Sequence, residues 1–128
     1  AEQEIHIWRA SLSVEPATLH RYAQVLSLDE QQRADRFRFD RDRHRFIASR
    51  GIVRSLLGRY LQLEPSCLQF CYGTAGKPSL EAAFNAARLE FNLSHSQNLM
   101  LGVVTIQHPV GVDLEELRSL TDLPRLTQ

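Results

Sequence analysis

Between Asp42 and Leu63 the apolar residues Phe46, Val53, Leu56, Leu57, Tyr60 and Leu61 recur at the spacing of one helical face, which predicts a long amphipathic helix. A stripe of that length must be covered, and a chain of 128 residues is large enough to bury one core against it. The opposite face would carry Arg43, Arg50, Arg54 and Arg59, and Pro65 ends the run. The cover is expected from strands: stretches near Leu89 to Leu93, Leu99 to Ile106 and Val110 to Leu114 are joined by short turns at "SQN" and "QHP". "EIHIWRASL" predicts a first strand with Ile5, Ile7 and Ala10 as its apolar positions, and "LQFCYG" a further one. Two shorter helices precede the long one. "EPATLHRYAQVL" tolerates Pro16 in its first turn and sets Leu19, Tyr22, Ala23 and Leu26 on a stripe. The next opens at Ser27, where Ser27 and Glu30 form an S-x-x-E capping box, with Arg33 and Arg36 on its successive turns. The expected fold is α+β, an antiparallel sheet packed against a long amphipathic helix.

Net charge is zero, so no global field draws the chain to nucleic acid or to a membrane. Charge is nevertheless uneven: fourteen of the fifteen cations are Arg, and nine of these lie between Arg33 and Arg59, offset there only by Asp35, Asp40 and Asp42. Arg is the preferred side chain for bidentate phosphate recognition, so this cluster suits a nucleotide's phosphates or a nucleic-acid backbone, as well as a plain charged helix face. Phe37, Phe39 and Phe46, interleaved with it, are expected in the core rather than as stacking platforms. Cys67 and Cys71 are about 13 Å apart in an extended segment, too far to pair with each other, and are expected as free, mostly buried thiols. No apolar run approaches a membrane span and no leader pattern opens the sequence, so a cytoplasmic protein is expected.

Three polar groups stand where an apolar strand or a turn is expected. Asp113 and Glu115 are two apart, so in an extended chain they share a face, and paired oxygen ligands suit Mg²⁺ or Mn²⁺ as well as a strand end emerging into water. Ser94 and His95 are adjacent and so face opposite sides of a strand; they do not form a nucleophile–base pair, but they can donate to phosphate. "GTAGKP" fails the spacing of a P-loop and leaves a turn in which Gly76 permits close backbone approach, Pro78 adds stiffness and Lys77 is the one ammonium.

In this order, "HRFIASRGIVRSLLGRYL", "GKPSL", "FNLSHS" and "VGVDLE" resemble the 4′-phosphopantetheinyl transferases of the larger, surfactin-synthetase-associated type, over roughly Arg33 to Leu117. The resemblance implies transfer of the phosphopantetheine arm of coenzyme A to a serine of an acyl or peptidyl carrier protein. It implies that Asp113 and Glu115 bind Mg²⁺. Ser94 and His95 would contact coenzyme A phosphates. Gly76, Lys77 and Pro78 would lie along the adenine nucleotide, and Arg33, Arg45 and Arg50 would meet its 3′-phosphate end. It further implies a pseudo-two-fold fold of two similar halves, with residues 1–117 as the N-terminal lobe and 118–128 as the start of a linker. The second half of such enzymes carries a W-x-x-K-E motif that is absent here, so an incomplete catalytic unit is expected, prone to self-association or to pairing with a second lobe. The competing class is a non-enzymatic module that applies the Arg-rich helix to nucleic acid or nucleotide, and the neutral net charge counts against it.

Overall fold

The computed structural model describes residues 2–72, 78–80 and 89–108. The chain opens with strand β1 (Glu2–Ser11), followed by helices α1 (Pro16–Val25), α2 (Leu28–Asp35) and α3 (Asp40–Leu61). After one 3₁₀ turn at Pro65–Cys67 come β2 (Phe70–Tyr72), β3 (Pro78–Leu80), β4 (Leu89–Ser96) and β5 (Leu99–His108). The fold is α+β and its sheets are antiparallel. β5, rich in β-branched residues, is the centre of a three-stranded sheet in the order β1-β5-β4, while β2 and β3 form a separate ribbon.

The helices begin and end where local chemistry directs. Pro16 occupies the first turn of α1, where its missing N–H costs nothing. Ser27 and Glu30 form the expected capping box, each side chain taking the other's backbone N–H. α3 stops at Gln62, which turns into the left-handed region (φ 56°), and Leu63 N–H then donates back to the Gly58 carbonyl at 2.8 Å.

Side chains from the sheet and from α3 share one core, including Trp8, Ala10, Met100, Val104 and Ile106 from the strands with Ile52, Val53, Leu56 and Leu57 from the helix. Two glycines permit the closest approaches. A Cβ on Gly51 would lie 2.3 Å from the Tyr22 side chain, which is how α1 packs against α3. A Cβ on Gly102 would lie 2.3 Å from the Trp8 ring, its register partner on β1.

Several sequence expectations are corrected. The buried face of β1 carries His6, Trp8 and Ala10, whereas Ile5 and Ile7 are 60% and 72% exposed. Ala10 and Ile5 have opposite parity, and the bulk of Trp8 decides which face turns inward. α3 is buried not along a stripe but all round its middle, since residues 48–54 are buried without a break. Arg50 and Arg54, expected on a solvated face, are 7% and 2% exposed. Phe37 and Phe39 are exposed, because the bend between α2 and α3 carries them out of the core. Cys67 and Cys71 are free but exposed, one at the end of the 3₁₀ turn and the other on the short ribbon. The expected strand from Val110 to Leu114 lies outside the described residues, as do Gly76, Lys77, Asp113 and Glu115.

Candidate phosphate-binding site

α3 and the β4–β5 hairpin build the site together. The hairpin turns through Gln97 and Asn98, with Gln97 in the left-handed region (φ 54°). Asn98 ties the turn down twice: its carbonyl accepts from Leu12 N–H at 2.7 Å, and its side-chain oxygen accepts from Arg45 Nε at 2.9 Å. The end of β4 is thereby fixed beside α3. His95, four residues from the turn's exit, reaches Ser49 on α3, with Nε2 2.9 Å from Oγ. Between them opens a cleft of about 310 Å³, lined among others by Phe37, Asp42, Arg45, Phe46, Ser49 and His95.

Phe46 is the hinge between this cleft and a pair of cations. The guanidinium carbons of Arg33 and Arg50 each lie 5.4 Å from its ring centroid. The same two carbons lie 5.7 and 5.5 Å from the ring of Tyr72 on β2. Two like charges are thus held together by two aromatic faces, an arrangement that leaves positive potential for an anion to satisfy. Burial lowers the Arg50 pKa from its ordinary value; Tyr72 and Glu30 oppose that effect, while Arg33 adds to it. Burial raises the Tyr72 phenol. His95 is lowered from the ordinary 6.5, first by burial and then by the charge of Arg50, so the ring is mainly neutral near pH 7.

Beneath the cation pair lies a buried salt-bridge layer. Glu30, wholly buried, meets Arg54 Nε at 2.8 Å through Oε1 and faces Arg50 Nε at 3.8 Å through Oε2. Arg54 also donates to the carbonyls of Pro65 and Leu68, at 2.9 and 2.7 Å, and stacks 5.0 Å over Phe70. It therefore holds the chain leading into β2, and with it Tyr72. The capping box identified Glu30 as a helix start; nothing in the local pattern revealed that the same carboxylate neutralises two arginines of another helix.

Of the sequence-expected site residues, Arg33 and Arg50 meet on the Phe46 ring, and Arg45 and His95 line with Phe46 the adjoining cleft. Pro78 pairs in register with Tyr72, whose ring meets both cations, while Gly76 and Lys77 lie outside the described residues. Ser94 does not join His95: it is exposed on the opposite face of β4, paired with Leu101. Ser49 was not anticipated; its position one helical turn after Arg45 was the available signal. Among the described residues no three His, Cys, Asp or Glu side chains gather as a metal cluster. No helix among them is long and apolar enough to cross a membrane.

Residues 8–106 match the family described as 4′-phosphopantetheinyl transferase, N-terminal. The chain is 47% identical over 125 residues to the 4′-phosphopantetheinyl transferase HetI of a Nostoc species, covering 98% of this chain and 53% of that protein. It is 35% identical over 101 residues to a phosphopantetheinyl transferase of Thraustochytrium, covering 77% of this chain and 34% of the relative. It is 29% identical over 101 residues to the 4′-phosphopantetheinyl transferase Sfp of Bacillus subtilis, covering 79% of this chain and 43% of the relative. The chain thus spans about half the length, or less, of these relatives.

Proposed function

Because this chain belongs to the 4′-phosphopantetheinyl transferase family and matches its N-terminal domain, we propose that it binds coenzyme A and serves transfer of the phosphopantetheine arm to a serine of an acyl or peptidyl carrier protein. In that reaction the serine oxygen attacks the β-phosphorus of coenzyme A. The bond to the α,β-bridging oxygen breaks, and adenosine 3′,5′-bisphosphate leaves. The observation that carries the reading is that Phe46 holds Arg33 and Arg50 on its ring and also lines the open cleft that contains Arg45 and His95.

The residues divide the work by chemistry. Arg33 and Arg50 offer planar guanidinium forks to phosphate oxygens, and Arg45, held by Asn98, adds a third from the cleft side. His95 contributes a hydrogen-bond donor without a second full charge, because burial and Arg50 disfavour its protonation. Gly76, Lys77 and Pro78 would follow the adenine nucleotide, entering from the ribbon on which Tyr72 stands. Ser94, on the far face of β4, would reach a phosphate only where the ligand overhangs the end of the sheet. Asp113 and Glu115 supply hard oxygen donors of the type Mg²⁺ takes, and the ion, when bound, would neutralise diphosphate charge.

Residues 1–117 then form one lobe of a pseudo-two-fold enzyme, 118–128 begin the connection to a second lobe, and the catalytic unit is incomplete without it. Exposed Ile5, Ile7, Leu99 and Leu101 on the outer face of the sheet support a packing surface of this kind. For the nucleic-acid alternative, Arg50 and Arg54 are buried and withdrawn from an exposed basic face, whereas Arg33, Arg36, Arg38, Arg41 and Arg59 remain exposed.

The test is labelling of a carrier protein by fluorescent coenzyme A with the complete enzyme. Asp113→Ala should abolish the Mg²⁺-dependent signal, whereas the isolated 128-residue chain should bind coenzyme A and turn over little or not at all. Unchanged labelling by the variant would remove Asp113 from the metal site.

A further inference from the structure

We propose that Ser49 is a positioning residue that selects the ring tautomer of His95, donating its hydroxyl proton to Nε2 so that the neutral imidazole keeps its own proton on Nδ1 and turns an N–H donor toward the cleft.

The Ser49 hydroxyl can donate either to His95 Nε2 or to Met100 Sδ, and the choice between them sets the tautomer. Ser49 is 6% exposed, its Oγ lies 2.9 Å from His95 Nε2 and 3.2 Å from Met100 Sδ, and it has one proton to give. An imidazole nitrogen is a far better acceptor than a thioether, so the proton goes to Nε2 and the sulfur serves as a polarisable backing. Met100 is fully buried and sits opposite His95 in the strand register, so the strand pairing that seats Met100 also sets the position from which His95 reaches Ser49. Among the described residues Nδ1 has no hydrogen-bond partner, and the cleft into which His95 opens also holds Arg45 and Asp42.

The tautomer matters because the ring is mainly neutral. Carrying its proton on Nε2, it would present a lone pair to an anion and repel it. With the proton on Nδ1, it donates a hydrogen bond that complements the neighbouring guanidinium groups. Ser49 in this way converts a weakly basic histidine into a fixed phosphate donor. The functional consequence rests on the coenzyme A reading above, whereas the tautomer itself does not.

Long-range ¹H–¹⁵N spectra of the 128-residue chain, recorded above the titration range of His95, separate the two. The expected result is a protonated-type shift at Nδ1 and an unprotonated-type shift at Nε2. Ser49→Ala should move the ring toward the Nε2–H form, and Ser49→Thr, which keeps the hydroxyl, should restore the original pattern. Coenzyme A affinity should fall roughly tenfold in Ser49→Ala, the scale of one hydrogen bond to a charged group. It should fall no further when His95→Ala is added. A wild-type ring protonated on Nε2, or a tautomer indifferent to Ser49→Ala, overturns the proposal. If the tautomer follows Ser49 while coenzyme A perturbs neither ring nitrogen, it is the ligand assignment that fails.

Discussion

The carboxylate of Glu30 and the guanidinium of Arg54 form a buried ion pair, Oε1 to Nε at 2.8 Å, that joins the start of α2 to the middle of α3. Because Glu30 also accepts the Ser27 N–H at 2.9 Å, one side chain caps a helix and neutralises the arginine that holds the approach to β2. The phosphate-site geometry above this pair depends on it.

Removing one partner should therefore cost far more than removing both. Arg54→Leu leaves a wholly buried carboxylate whose Oε2 already lacks a hydrogen bond, and the expected loss is about 3–5 kcal/mol. The double variant Glu30→Leu/Arg54→Leu should recover part of that loss, since the buried carboxylate goes with its partner, and only part, since Arg50 then loses its counter-charge at 3.8 Å. Urea unfolding midpoints of the three proteins measure this. A single variant within about 1 kcal/mol of wild type would mean that water reaches the pair.

At Gly102 the constraint is steric. A methyl group there meets the Trp8 ring at 2.3 Å, within a sheet whose partner strands lie on both sides. Gly102→Ala should destabilise the fold by about 1–3 kcal/mol through forced displacement of the indole. Thermal melts and the near-ultraviolet signal of Trp8, the only tryptophan, report both effects. An unperturbed tryptophan environment would contradict the packing.

Most of the architecture was legible because it is written in local pattern. The capping box at Ser27 and Glu30, the proline in the first turn of α1 and the strands of the β4–β5 hairpin all follow from neighbours a few residues apart. The faces were less legible. "EIHIW" offers two parities, and only packing against Gly102 puts Trp8 inside and leaves Ile5 and Ile7 out. Arg50 and Arg54 looked like surface charge because their countercharge, Glu30, comes from another helix at least twenty residues away. At the site, the motif residues His95, Arg33, Arg45 and Arg50 could be named from sequence, but the meeting of Arg33 and Arg50 on Phe46 could not, nor could the contact of Ser49 with His95.

A second buried cluster predicts an alkaline limit. His6 Nδ1 lies 2.6 Å from the Tyr60 hydroxyl and its Nε2 lies 2.6 Å from Glu4 Oε1, tying β1 to the end of α3. Burial, assisted by the Glu4 charge, pushes the Tyr60 phenol far above its ordinary 10.0. Above pH 10 the unfolded chain loses that proton and the folded chain keeps it, so stability should fall as pH rises past 10. Tyr60→Phe should flatten this decline, while Tyr72 keeps a contribution of the same sign. It should also cost about 1–3 kcal/mol at neutral pH, by leaving the buried His6 nitrogen unpaired. Denaturant titrations between pH 8 and 12 test the slope, which an equally steep fall in the variant would contradict.

The outer sheet face predicts association. Ile7 pairs in register with Val103 and Arg9 with Leu101, so Ile7 and Leu101 lie on neighbouring rows of one exposed surface. Sedimentation velocity of the isolated chain should show concentration-dependent self-association, and Ile7→Glu should shift it toward monomer at least severalfold. A wild-type chain that stays monomeric at high concentration would argue against a packing surface there.

The most direct test of the phosphate-site account is a coenzyme A titration followed by the side-chain N–H signals of arginine and the ring signals of histidine. Saturable shifts are expected at Arg33, Arg45, Arg50 and His95, with the His95 titration midpoint rising from its lowered value as the bound phosphates favour the charged ring. Arg9 and Arg59, away from the cluster, should stay unchanged. A flat titration, or shifts confined to Arg9 and Arg59, would contradict it.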